Sequence, residues 1–358
     1  MTTIQVLLGD RSYPIFVLPG SLRELGPTIA QQLGASRVVV VTTPKVAELH
    51  YAELEQGLAS ARVRVDRIEV PDGERAKTLR TASKVYDELI ELGTDRSSVL
   101  IGLGGGALCD LTGFVASTYL RGVSLVQVPT TLLAQVDASV GGKTGVNHPR
   151  GKNLIGTFYQ PQLVWIDPTV LQTLPPRERR SGMAEVVKVA ALWDAEFFAW
   201  LEKEMEPLMA LEPQPLAHAI SRACRIKAEI VGLDEREAGL RALLNFGHTL
   251  GHALENVAEY RRYRHGEAVA LGMIFAVGLS ESRGLCPAGC QARMRDLLGR
   301  IGLPSDPPRI EGNRETYLRA LSVDKKVRGE KLGFVVLRDI GRAEVLRLTP
   351  EEILEVEG

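Results

Sequence analysis

The chain has 358 residues, of which 45% are hydrophobic and 24% charged, and a formal net charge of −1. That length suits two domains of roughly 150–200 residues. Near-neutrality excludes any global attraction to nucleic acid or an anionic membrane. The longest apolar stretch, Ala268 to Leu279, falls well short of the ~20 residues of a membrane span and reads as a buried helix. The opening MTTIQVLLGDRSYPIF has no basic leader, and Asp10 and Arg11 interrupt its apolar run, which argues against a signal peptide. Cys109, Cys224, Cys286 and Cys290 are scattered, and Cys286-x3-Cys290 lacks a second pair to complete a zinc site. Reduced thiols in a cytoplasmic protein are therefore expected.

In chain order, TIQVLLGDRSYPIFVLPG predicts a hairpin with its turn near Gly9–Tyr13. Short β-branched runs follow at 37–43, 64–70, 98–106, 123–131 and 163–167, and amphipathic stretches such as 78–93 alternate with them. That alternation predicts a Rossmann-like α/β fold, a parallel sheet with helices on both faces. Pro175 and Pro176 mark a break, after which helical periods dominate to about residue 320, and KLGFVVLR with RAEVLRLT suggests a terminal hairpin. The expected division is an α/β domain over 1–172 and a mainly helical domain over 173–358. No internal repeat or low-complexity segment is evident.

The run VLIGLGGGALCDLTGFVAST reads as strand, glycine cluster and helix, with Gly104, Gly105 and Gly106 at the helix start. Glycines there let backbone N–H groups approach a pyrophosphate at the positive end of a helix. The pattern fits a dinucleotide fingerprint only loosely, because no acid ends the next strand, and a tight structural turn remains the alternative. PDGERAKT (71–78) offers Asp72, Glu74 and Lys77 at a strand end, and Glu74 could take the ribose hydroxyls. PTT (129–131) closes a later strand with two hydroxyls. Only eleven lysines stand against thirty-two arginines, so Lys143 and Lys152 in the glycine-rich segment 135–158 suggest a phosphate or oxyanion contact. A disordered surface hairpin is the plainer reading of that segment.

NFGHTLGHALE (245–255) places His248 and His252 four residues apart, on one helix face. A zincin would need glutamate where Thr249 stands, so a protease reading fails at its base. Open catalytic metal sites usually take three protein ligands. His265, in YRHGEAVALGM, and Glu185, in RSGMAEVVKVA, are available as further ligands. Lys188 lies three residues after Glu185, so the two could instead simply pair with each other.

The strings GLGGGALCDLTGFVASTYLRG, VPTTLLAQVDASVGGKTGVN, GKNLIGTF, GMAEVVK, LNFGHTLGHALE and HGEAVALGM resemble the 3-dehydroquinate synthase family of sugar-phosphate cyclases, in that family's order and over nearly the whole chain. The resemblance implies an NAD-binding α/β domain followed by a helical metal-binding domain. It also implies conversion of 3-deoxy-D-arabino-heptulosonate 7-phosphate to 3-dehydroquinate and phosphate. In that reaction a transient NAD+-dependent oxidation precedes β-elimination, re-reduction and an intramolecular aldol closure, with no net oxidation.

Carried over by motif, Glu185, His248 and His265 resemble zinc ligands, cobalt suiting the same set. Lys143, Asn153, Arg241, Asn245 and His252 resemble a substrate-binding shell for phosphate and carboxylate, with Lys188 and Lys227 as further substrate contacts. Asp137 resembles an acid near the reacting hydroxyls, and Arg121 and one of Lys325 and Lys326 resemble residues for the anionic end, with a homodimer implied. Cofactor contacts are implied for Asp72, Gly73, Glu74, Arg75, Ala76 and Lys77, and for Gly104, Gly105, Gly106, Ala107, Leu108, Cys109 and Asp110. Thr130, Thr131, Lys143, Lys152, Val170, Leu171, Gln172 and Thr173 complete that set. Cys109, Ala138, Val189 and Ala190 depart from the family pattern, but none removes a charged group. Rival readings are a sister cyclase acting on another sugar phosphate, a metal-dependent polyol dehydrogenase, and a non-catalytic nucleotide-binding protein.

Overall fold

A computed structural model describes residues 2–258, 262–308, 314–322 and 331–355. The chain forms two compact units, one built from Met1–Pro175 with Leu216–Gly232, the other from Pro176–Pro215 with Leu233–Gly358. The first boundary lies three residues beyond the expected 172/173, and the segment 216–232, expected in the second domain, packs in the first unit.

In the first unit, β1 (Thr2–Val6) and β2 (Tyr13–Val17) form the expected antiparallel hairpin. Helix α1 (Leu25–Leu33) leads to β3 (Arg37–Thr42). Then come α2 (Pro44–Val46), α3 (Ala52–Ser60), β4 (Arg64–Glu69), α4 (Leu79–Glu91), β5 (Val99–Gly104), α5 (Gly106–Thr118) and β6 (Ser124–Pro129). Strands β7 (Lys143–His148) and β8 (Gly151–Phe158) pair only with each other, and β9 (Leu163–Ile166) rejoins the main sheet. That sheet has seven strands in the order β1-β2-β9-β6-β5-β3-β4, and every pairing in it except β1–β2 is parallel.

Both faces are covered, which is why these strands read as continuous apolar runs rather than alternating ones. Val38 and Val40 of β3 join the cluster containing Leu25, Ile29 and Leu54, whereas Val39 and Val41 join the one containing Val85, Leu89 and Leu111. Successive side chains of a strand point to opposite faces, so one run feeds two cores.

The second unit is mainly helical: α6 (Pro176–Trp193), α7 (Ala195–Met209), the first residues of α8 (Pro213–Leu233), α9 (His248–Val257), α10 (His265–Ser282), α11 (Cys290–Ile301), α12 (Arg314–Ser322) and α13 (Pro350–Leu354). The expected late hairpin is present as β10 (Leu332–Asp339) and β11 (Arg342–Leu348). Among the described residues, no helix is long and apolar enough to cross a membrane. Helix α10 is apolar around its circumference because α6, α9 and α11 all pack on it.

Two glycines set its packing distance. A Cβ on Gly266 would lie 2.1 Å from the carbonyl oxygen of Ser181, and a Cβ on Gly272 would lie 1.9 Å from that of Gly247. The backbones of α6 and α9 therefore approach α10 more closely than any side chain would permit.

Candidate active site

The strand order of the main sheet reverses between β3 and β5. In open parallel sheets, ligands bind outside the carboxyl ends of strands at such a switch point. The segments singled out in the sequence leave these carboxyl ends: 70–78 after β4, 105–106 after β5, 130–131 after β6 and 167–173 after β9. Gly105 is the N-cap of α5 at φ −78°, so a left-handed backbone is not why glycine stands there. Closeness is the reason. A Cβ on Gly105 would lie 3.1 Å from Thr131 Cγ2, and one on Gly106 would lie 3.1 Å from Ala138 Cβ. The bare backbone leaves the amino end of α5 open to an anion. Leu108, Cys109, Val170 and Leu171 are buried in the core, so only their backbones can meet a cofactor. Burial pushes the Cys109 thiol well up. Thr173 is engaged by its hydroxyl with His50 Nε2 at 3.0 Å, and Gln172 is exposed.

Lys77 is only 4% exposed, and its ammonium pairs with Asp110 and donates to Asn153 Oδ1 at 2.5 Å. Burial pushes the Asp110 carboxyl up to about 6, against the pull of Lys77. Asn153, expected among the substrate contacts, thus faces a cofactor-segment lysine, and it adopts a left-handed backbone (φ 54°) to do so. The segment 143–158 is an ordered hairpin, with its two lysines roughly 13 Å apart along the strands. Lys143 lies in β7 and Lys152 in β8. Both are exposed, as are Asp72, Gly73, Glu74 and Arg75, whereas Ala76 is buried.

Asn147 ties these parts together, and the sequence reading missed it. Its backbone N–H donates to Lys77 O at 2.8 Å, its side-chain amide donates to Glu74 Oε1 at 2.6 Å, and its Oδ1 accepts from Asn153 N at 2.9 Å.

Asp137 follows β6 in a short helical turn, Ala134–Ala138. Lys227 of α8, 5% exposed, pairs with its carboxylate and donates to its carbonyl oxygen at 2.5 Å. Both residues belong to the first unit, which is the chemical consequence of helix α8 packing there.

In the second unit Glu185, His248 and His265 converge, each offering a ligand atom, all within 4.8 Å of one another. Glu185 Oε1 lies 3.7 Å from His248 Nε2 and 3.6 Å from His265 Nε2. Those spacings are too long for hydrogen bonds. They match the ~3.4 Å edge of a tetrahedron with bonds of ~2.1 Å, as Zn²⁺ with oxygen and nitrogen ligands makes. Glu185 is 1% exposed, and neither carboxylate oxygen accepts a well-formed hydrogen bond. A buried carboxylate left in that state calls for a cation. Lys188 supplies one and pairs with Glu185, so the alternative reading is realised beside the metal reading rather than in place of it.

Burial opposes the Glu185 charge, yet Lys188 and His265 outweigh it and hold the carboxyl at about 2. Burial, helped by Lys188, lowers His248, keeping its ring in the neutral form that binds metals.

His252 is exposed, with its ring centroid 5.4 Å from that of His248; it is not in the Glu185, His248 and His265 group but forms a second one with Glu255 and His265, whose ligand atoms also lie within 4.8 Å of one another. Glu255, also missed, is 8% exposed, and its Oε1 lies 3.7 Å from His265 Nδ1. It falls on the face of α9 that carries His248 and His252, so helical spacing could have found it. Arg241, 1% exposed, donates from Nη1 to Glu235 O at 2.5 Å, and Asn245 donates to Glu237 Oε1 at 2.9 Å. Arg121 is exposed in a left-handed turn (φ 66°) after α5. Lys325 and Lys326 lie outside the described residues. A further group, Glu281, Cys286 and Cys290, also clusters, and burial pushes the Cys286 thiol up to about 12.

Among solved structures, the chain resembles 2-deoxy-scyllo-inosose synthase complexed with carbaglucose-6-phosphate, NAD+ and Co2+, with TM-score 0.89 and 27% identity over 99% of both chains. It also resembles 2-epi-5-epi-valiolone synthase from Streptomyces hygroscopicus with NAD+ and Zn2+ bound, with TM-score 0.85 and 32% identity over 95% of this chain and 94% of that one. Sulfoacetaldehyde reductase from Bifidobacterium kashiwanohense, at 14% identity and TM-score 0.69, is similar in fold alone. The class defined by fold and site is that of the sugar-phosphate cyclases.

Sequence comparison narrows this. The 3-dehydroquinate synthase N-terminal family model matches residues 67–181 and the C-terminal one matches 182–327. The chain is 46% identical to 3-dehydroquinate synthase of Pelobacter propionicus over 100% of its own length and 99% of that protein. It is 49% identical to that of Bordetella pertussis over 98% of its length and 97% of that protein. The chain belongs to the 3-dehydroquinate synthase family.

Proposed function

We propose that this chain converts 3-deoxy-D-arabino-heptulosonate 7-phosphate to 3-dehydroquinate and phosphate, with NAD+ held by the first unit and Zn2+ or Co2+ by the second. The observation that carries the reading is the convergence of Glu185, His248 and His265 at tetrahedral-edge spacing, in a chain of this family. When bound, NAD+ supplies a reversible hydride acceptor and the metal a Lewis acid that makes nearby hydroxyl protons more acidic.

The chain's own residues do the rest. The amino end of α5 and the 72–77, 130–131 and 170–173 segments receive the cofactor, and Lys77 with Asp110 and Asn153 keeps those loops in register. Lys227 holds Asp137 anionic and oriented, so that its carboxylate can take or return a proton at a substrate hydroxyl. Lys188 screens Glu185 while leaving it a ligand. His252, Lys143, Arg241, Asn245, Arg121 and Lys325 serve the phosphate and carboxylate, and Lys152 the cofactor.

The proposed assembly is a homodimer, which light scattering tests directly. Four free, buried cysteines support a reducing, cytoplasmic setting.

The discriminating assay gives purified protein the heptulosonate phosphate with catalytic NAD+ and Zn2+, and follows phosphate and NADH. Stoichiometric phosphate without accumulated NADH is expected. Sustained NADH production would reveal a dehydrogenase instead, and turnover of a hexose or sedoheptulose phosphate alone would reveal a sister cyclase.

A further inference from the structure

We infer that Glu255 is a positioning residue that fixes the tautomer and ring orientation of His265 for metal binding. The inference rests on the proposed metal role of Glu185, His248 and His265.

A neutral imidazole carries one proton, and the nitrogen that binds a metal must be the one without it. The structure distinguishes the two nitrogens of His248. In His248, Nε2 faces Glu185 Oε1 at 3.7 Å, while Nδ1 lies 3.1 Å from the carbonyl oxygen of Phe246. That carbonyl accepts only a proton, so Nδ1 carries it and Nε2 is left for the ion. The orienting group is backbone, and no substitution removes it.

His265 stands between two carboxylates at nearly equal distances. Its Nε2 faces Glu185 Oε1 at 3.6 Å, and its Nδ1 faces Glu255 Oε1 at 3.7 Å. The ring is spanned by two carboxylates from two helices, α6 and α9. Its side chain is 30% exposed, more than His248 at 11%, so packing alone constrains it less. The side chain of Glu255 is itself only 10% exposed. Groups that hold the far nitrogen of a ligating histidine typically matter 10–100-fold in metal affinity.

The test is Zn2+ affinity by chelator competition, with ion stoichiometry, on the full-length wild type, Glu255→Ala and Glu255→Gln, beside thermal denaturation of each metal-free protein. Wild type is expected to bind one ion at this cluster. Glu255→Ala should bind it about 10–100-fold more weakly with an unchanged metal-free Tm. Glu255→Gln keeps an accepting oxygen and should lose about 10-fold or less, and it carries the test if the alanine variant fails to fold. Wild-type affinity in both variants would overturn the inference, as would equal losses in both. Two ions in wild type, with one lost in Glu255→Ala, would make Glu255 a ligand through His252 and His265 instead. A wild type that binds no ion would sink the metal reading itself.

Discussion

The carbonyl oxygen of Gly247 occupies the space from which a side chain on Gly272 would have to start: a Cβ there would fall 1.9 Å from it. Gly247 is the N-cap of α9, in a left-handed conformation (φ 76°), and His248 is the first residue after it. The contact therefore sets where the metal-facing histidine begins. Gly272→Ala should push the start of α9 outward, destabilise the chain by more than ~3 kcal/mol in denaturant titrations, and lower its retained metal.

The two histidines of the HTLGH stretch should separate in their effects. His248→Ala removes one corner of the Glu185, His248 and His265 triangle, so metal and turnover should fall together. His252→Ala leaves the triangle whole and should keep most of its metal while turning over at least ~10-fold more slowly. Metal analysis after dialysis decides, and equal metal loss in both would contradict the division.

Asp110 should leave a mark on stability as a function of pH. Its folded-state pKa of about 6 stands above the ordinary 3.8, with burial as the main cause. Between those values the folded protein holds the proton more tightly than the unfolded chain, so this group's contribution is complete below about pH 4 and is lost as pH rises through about 6. Asp110→Asn does not titrate. Its stability relative to wild type should improve between pH 4 and pH 7 by on the order of 2–3 kcal/mol, measured by urea unfolding across that range.

Asn147 and Glu74 should couple in NAD+ binding. Asn147→Asp keeps an acceptor for Asn153 N but sets a second carboxylate against Glu74, where the amide now donates at 2.6 Å. NAD+ should bind about 5–10-fold more weakly, and less so at low pH, where a carboxyl is protonated. In a Glu74→Gln background the same change should cost almost nothing, because Gln can donate to Asp. An equal cost in both backgrounds, by calorimetry, would show the two side chains to be independent.

The parallel sheet was legible because its strands are buried on both faces and read as unbroken β-branched runs, the first hairpin was legible from its turn near Gly9–Tyr13, and the last from its β-like residues. Helical spacing and the scarcity of histidine made Glu185, His248, His252 and His265 candidates, but the choice of His248 over His252 came only from the family resemblance. What escaped was pairing across long separations. Nothing local in the sequence says that Lys227 sits beside Asp137, ninety residues earlier, or that Asn153 faces Lys77. Glu255 escaped for another reason: a glutamate near a helix end reads as solvated until the fold buries it. The glycines at 266 and 272 gave no hint, since their φ values are helical and only a neighbouring backbone makes them necessary.

Because residues 216–232 return to the first unit, the polypeptide passes between its two folded bodies three times. No single cut divides such a chain into halves that each own their chemistry. A fragment ending at residue 175 would keep Asp137 and surrender the ammonium that neutralises it, while the complementary piece would carry a helix with nothing left to pack on. Descent by simple fusion of two ready-made modules is thereby disfavoured, and swapping either body between relatives requires an excision and a graft rather than one crossover.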